Sequence, residues 1–108
     1  MANIVMTIPT ESGEKKYTLE FNRRTIIRME EEGVIEKLQK GAKQEAIDKL
    51  VYYACLKNHP SISMEEVQGI VDSVKMSELG NFIQAIGDLL NKSIDALESK
   101  GNAHWEVN

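Results

Sequence analysis

Hydrophobic and polar positions along this 108-residue chain change period once, early on. Asn3 to Ile8 alternates, with Ile4, Met6 and Ile8 on one side, and Lys15-Lys16-Tyr17-Thr18-Leu19-Glu20-Phe21 alternates again. Alternation is the mark of a strand with one face covered. Between the two runs, Pro9-Thr10-Glu11-Ser12-Gly13-Glu14 is rich in turn formers, which predicts a β-hairpin. Two strands are marginal alone in water, so the hairpin has to pack on helices or join the sheet of another copy.

From Asn22 onward the period is helical. Asn22 offers an N-cap and Gly33 a C-cap for a first helix, and Val34-Ile35-Glu36-Lys37-Leu38 continues the pattern to Gly41. Lys43 to Lys57 forms a clearer helix, whose Ile47, Leu50, Val51 and Ala54 follow the spacing of a buried stripe. Tyr52 and Tyr53 are adjacent in it, so one of them belongs at the edge or outside. Asn58 and Pro60 end it. Ser63-Met64-Glu65-Glu66 fits a capping box for a third helix with Met64, Val67, Ile70, Val71 and Val74 on its apolar face. The last helix, from about Ser77 to Ser99, carries Leu79, Phe82, Ile83, Ile86, Leu90, Ile94 and Leu97 at spacings of three and four. The expected fold is one mostly helical α+β domain over residues 1–100, a hairpin followed by about four helices, with a C-terminal tail over 101–108.

Charge alters this picture at the first helix, which opens with Arg23 and Arg24 and closes with Glu30, Glu31 and Glu32. That order opposes the helix dipole at both ends, a cost of about 0.3–1 kcal/mol per uncompensated charge. Compensation is expected inside the fold or on a partner. Residues 1–28 hold five bases against three acids, whereas the remainder holds eight against fourteen, and the whole chain stands at −4. Such a balance argues against nonspecific nucleic-acid binding, and the basic end suits an acidic protein surface. Arg23, Arg24 and Arg28 are therefore candidate partner-binding residues, joined by Tyr52 and Tyr53. Gly80 and Gly87 lie on nearly one line of the last helix, where a second helix could approach. The single tryptophan, Trp105, is a candidate anchor.

No apolar run reaches the length of a membrane span, and the Met-Ala-Asn-Ile-Val-Met start lacks the form of a signal peptide. With one cysteine, Cys55, the expected setting is the cytoplasm. Cys55 and His59 stand four apart, but a structural zinc needs four ligands and His104 is the only other histidine. Glycines 13, 33 and 41 are isolated and form no phosphate loop. Neither an enzyme nor a cofactor is expected.

The Tyr17-Thr18-Leu19-Glu20-Phe21-Asn22-Arg23-Arg24 passage runs into a helix ending Met29-Glu30-Glu31-Glu32-Gly33. Leu50-Val51-Tyr52-Tyr53-Ala54-Cys55-Leu56 follows, then His59-Pro60 and an acidic helix. In order and spacing, over most of residues 3–98, this resembles the small tail assembly chaperones of long-tailed bacteriophages and prophages. The resemblance implies a non-enzymatic protein in the host cytoplasm that binds the tape measure protein, keeps its helices soluble, and helps tail tube subunits polymerise around it. Self-association through the hairpin edge or the glycine line is a further expectation. The alternative is a small helix-turn-helix transcription regulator built on residues 63–75 and 77–99, although Glu65, Glu66 and Glu78 would then sit where phosphate has to approach.

Overall fold

The computed structural model describes residues 3–41, 43–100 and 107, with no side chains described at 98–100. Strands β1 (Ile4–Thr10) and β2 (Gly13–Leu19) form an antiparallel hairpin. Helices α1 (Arg23–Glu31), α2 (Val34–Gln39), α3 (Gln44–Leu56), α4 (Met64–Asp72) and α5 (Leu79–Lys100) follow, with a 3₁₀ turn at Met76–Glu78. The fold is α+β and mostly helical, as the pattern predicts. Among the described residues, no helix is long and apolar enough to cross a membrane.

The hairpin is longer and its turn tighter than expected. Register runs from Ile4 opposite Leu19 to Thr10 opposite Gly13, leaving only Glu11 and Ser12 in the turn. Gly13, at φ +122°, supplies a backbone angle that other residues rarely adopt. Its carbonyl accepts from the Thr10 hydroxyl at 2.6 Å. Pro9 stays within the strand because its position requires no amide donor. The inner row of β1, Ile4, Met6 and Ile8, is half-buried against the core.

Gly33 ends the first helix, as its reading as a C-cap predicts. At φ +70° it takes the left-handed conformation that ends α1, and its amide donates to the Glu30 carbonyl at 3.1 Å. The chain restarts as the six-residue α2.

Helix α3 is the hub, packed on α1, α2, α4, α5 and β2. Its predicted stripe of Ile47, Leu50, Val51 and Ala54 is buried, but so are Ala46, Asp48, Tyr53 and Cys55. A helix surrounded on several sides buries more than one stripe. Leu19, Phe21, Met29, Val67, Ile70 and Ile86 fill the space around it. In α5 the expected stripe is covered unevenly: Ile86 and Leu90 are buried, Leu79, Phe82, Ile83 and Ile94 are half-buried, and Leu97 is exposed.

At Thr18 the open side of β2 is met by Asn58 and His59, just past the end of α3, instead of by a third strand. The Thr18 amide donates to His59 Nε2 at 3.1 Å, and Asn58 Nδ2 donates to the Thr18 carbonyl at 3.3 Å. One residue pair along, the Glu20 amide reaches the Ala54 carbonyl at 2.8 Å. Side chains thus meet the hydrogen-bonding need that a buried strand edge creates. The Glu20 carboxylate, itself buried, takes a 2.5 Å ion pair from Lys57.

Candidate protein-binding surface

Helix α1 starts from a local cap. Asn22 Oδ1 accepts from the Thr25 amide at 2.9 Å, and Thr25 Oγ1 accepts in return from the Asn22 amide at 3.1 Å. The reciprocal box is built with threonine where glutamate or glutamine is usual. Asn22 was legible as a cap, and its partner was not. Thr25, Ile26 and Met29 face the core, so the opposite side of the helix carries Arg23, Arg24, Ile27 and Arg28 outward.

Ile27 is 42 % exposed, an apolar side chain one helical turn from Arg23 and Arg24. Neither arginine has an ion pair or a hydrogen bond to any described residue. Arg28 differs, because its guanidinium lies over the Tyr53 ring, 5.5 Å from the centroid. Tyr53 in turn meets Tyr52 edge to face at 5.2 Å.

At the other end of α1 one of the three misplaced acids, Glu32, is compensated from within. Glu32 receives the Tyr53 hydroxyl at 2.5 Å and the Lys49 ammonium at 3.1 Å. These hydrogen bonds, with Lys49 and Arg28 nearby, hold its carboxyl below the usual glutamate range. Burial first and Glu32 second push the Tyr53 phenol up to about 12. Tyr53 itself is 1 % exposed. A side chain so covered offers no surface to a partner, and it acts instead as the post that fixes Arg28 and Glu32.

The structure therefore gathers most of the residues singled out in the sequence. Arg23, Arg24 and Arg28 share one face of α1, and Arg28 leads through Tyr53 to the half-buried Tyr52 on α3. Gly80 and Gly87 are elsewhere, on α5. A β-carbon at either would meet nothing within 4 Å, so no described helix packs closely there. Trp105 lies outside the described residues. Ile27, which sequence reasoning passed over, is the apolar centre of the arginine face, and a one-residue departure from the buried period of α1 was its only signal.

The Cys55 and His59 pair carries no chemistry of its own. Burial pushes the fully covered Cys55 thiol up to about 12, so it is protonated at neutral pH. The His59 ring nitrogen is occupied by Thr18, and the ring tilts against Tyr17 at 5.3 Å. Among the described residues no three His, Cys, Asp or Glu side chains come together to hold a metal.

Glu66 departs from the expected capping box. Ser63 Oγ accepts from the Glu66 amide at 3.1 Å as predicted, but the Glu66 carboxylate turns away to Tyr17 Oη at 2.5 Å and Lys15 Nζ at 2.8 Å. A charge-assisted pair across the fold takes the carboxylate that a local cap would have used. Lys15 and Tyr17 hold the Glu66 carboxyl below its ordinary value, and Lys57 and Asn58 do the same for Glu20.

These shifts give a pH dependence with a definite sign. A carboxyl depressed in the folded state takes up its proton at higher pH once unfolded, so its contribution is present above the ordinary glutamate range and is lost as pH falls through it. The urea midpoint is expected to fall between about pH 5 and pH 3. Glu66→Gln is expected to flatten that fall, as the charge that titrates is gone. Parallel profiles for the two proteins would contradict the assignment.

No curated protein and no solved structure matches the chain. One family model does match it, over residues 1–108, and its description is a domain of unknown function, DUF5055. The chain belongs to that family.

Proposed function

We propose that this chain is a non-enzymatic, protein-binding chaperone of phage tail assembly, which holds the tape measure protein soluble and aids assembly of the tail tube. The observation that carries the reading is the outward face of α1, where Arg23 and Arg24, with no ion pair or hydrogen bond among the described residues, flank the exposed Ile27. An apolar anchor inside a basic rim suits the acidic flank of an amphipathic client helix, the anchor supplying affinity and the rim partner choice. The Tyr53 post and the Glu32 ion pair hold the back of α1 against α3, so little ordering is needed on binding. The order of elements that resembles tail assembly chaperones agrees with this and names the client: a tape measure protein, with the tail tube subunit as a second partner.

The test is affinity purification of the tagged chain from cells expressing its native gene cluster, followed by mass spectrometry of what stays bound. A very long, helix-rich protein or a tube subunit is the expected catch. Recovery of the chain alone, with DNA retarded in a parallel gel assay, would overturn the proposal in favour of a regulator.

A further inference from the structure

We propose that β1 is a dimerisation edge, along which two copies of this chain pair antiparallel with Val5 of each opposite Thr7 of the other, joining two hairpins into one four-stranded sheet. The inference rests on the strand edge and is independent of the α1 face.

The edges of the hairpin differ in charge and in cover: β2 carries Glu14 and Lys16 at its outward positions and is covered at Thr18, whereas β1 has neither protection. On β2, Thr18 turns its amide and carbonyl outward and both are met by His59 and Asn58. Bonded and unbonded pairs alternate along an antiparallel ladder. Val5, opposite Thr18, therefore turns its own amide and carbonyl away from β2, and Thr7 and Pro9 do the same by alternation. No described residue bonds to the backbone of Val5 or Thr7 beyond the hairpin. The side chain of Val5 is 57 % exposed.

Open strand edges are ordinarily protected by lysine, by inward charge or by covering elements. The sequence of β1, Ile-Val-Met-Thr-Ile-Pro-Thr, holds no charge. Its only guard is Pro9, near one end, where the missing amide limits how far pairing can extend. The neighbouring groove of about 530 Å³, walled by Met6, Ile8, Val74 and Phe82, leaves room beside the strand.

Three arguments select a second copy as the occupant. With Val5 facing Thr7, all four open groups of these two residues find partners on the other copy. Sliding to Thr7 opposite Thr7 would set the Val5 carbonyl against Pro9, which has no amide to give. In the chosen register Met6 also faces Met6, and Ile4 faces Ile8, so the half-buried inner rows of the two copies run on as one apolar row. Finally, Lys75 and Glu78 on the groove wall are one of each sign, so the site has no net charge to recruit an acidic or a basic extended segment. An uncharged edge meeting its own image suffers no repulsion.

Sedimentation equilibrium of the full chain, from micromolar to millimolar concentration, tests this. The wild type is expected to reach twice the 12.2 kDa chain mass. Thr7→Pro removes one outward donor per copy and Val5→Lys adds an edge charge. Each is expected to weaken dimerisation by about tenfold or more, the equivalent of one or two lost hydrogen bonds, with the circular dichroism spectrum unchanged. Should Thr7→Pro fail to fold, Val5→Lys carries the test alone. Hydrogen exchange at the Val5 and Thr7 amides is expected to slow as the dimer forms. The proposal is overturned by a wild type that stays monomeric at millimolar concentration, by a dimer that a folded Thr7→Pro chain and Val5→Lys both leave unchanged, or by protection of these amides only when an extended peptide from another protein is added.

Discussion

Replacing Tyr53 with alanine is expected to destabilise the chain by about 3–5 kcal/mol, a large part of what a domain of this size has to spare. The ring is 1 % exposed at the meeting of α1 and α3, so its removal opens a cavity in the core. It also takes away the platform under Arg28 and the hydroxyl that holds Glu32. Tyr53→Phe separates these effects, because it keeps the ring and loses only the hydroxyl. That variant is expected to lose about 1 kcal/mol, since Glu32 is partly solvated and retains Lys49. Urea unfolding of the two variants side by side measures the difference, and equal losses would show that the hydroxyl, not the ring, carries the effect.

Reversing the charge at Arg23 and Arg24 together is expected to reduce client capture by about a hundredfold with the unfolding free energy kept within about 0.5 kcal/mol of wild type. The two side chains have no ion pair or hydrogen bond among the described residues to lose, so a change in binding without a change in stability would locate them at the interface. Glutamates at these positions would improve the helix dipole of α1, which opposes any general damage to the fold. Arg28→Glu is a different experiment. It sets a second acid near Glu32 and lifts the cation off Tyr53, so it lowers stability as well as binding. Titration of the purified variants against a client segment reads the affinities. Unchanged binding by Arg23→Glu/Arg24→Glu would remove this face from the proposed function.

What the sequence made legible was local. The stripe Ile47, Leu50, Val51 and Ala54, the row Ile4, Met6 and Ile8, and the caps at Asn22 and Ser63 all follow from spacing within a few residues, and each is where its period places it. One of the two adjacent tyrosines had to leave the core, and it is Tyr52. The failures have a common cause in long-range partners. Glu66 was expected to close its own capping box, yet Lys15 and Tyr17, distant in sequence, outbid the local amide. Tyr53 reads as a partner-binding candidate beside Tyr52, because nothing in the sequence announces that its ring will be buried and its hydroxyl will reach Glu32. The turn was drawn too long since Pro9 and Gly13 read as breakers, and only the pairing shows that one needs no donor and the other supplies a positive φ.

The misplaced charges of α1 were visible from the start, and their resolution is divided. At the acidic end Glu32 is answered inside the fold, by Lys49 and Tyr53, whereas the exposed Glu30 and Glu31 have no ion pair or hydrogen bond among the described residues. At the basic end Arg23 and Arg24 have no answer among the described residues either, and the exposed Ile27 one turn from both is why a partner is proposed there. A fold that spends its aromatic and ionic contacts on steadying one side of a helix leaves the other side ready for use.

The most direct test of the central claim is co-expression of this chain with a tape measure protein, the client proposed for it, reading the soluble fraction of that protein. The account predicts that the client is largely insoluble alone, soluble with the wild-type chain, and insoluble again with the folded Arg23→Glu/Arg24→Glu variant. A client equally soluble with and without this chain would contradict it.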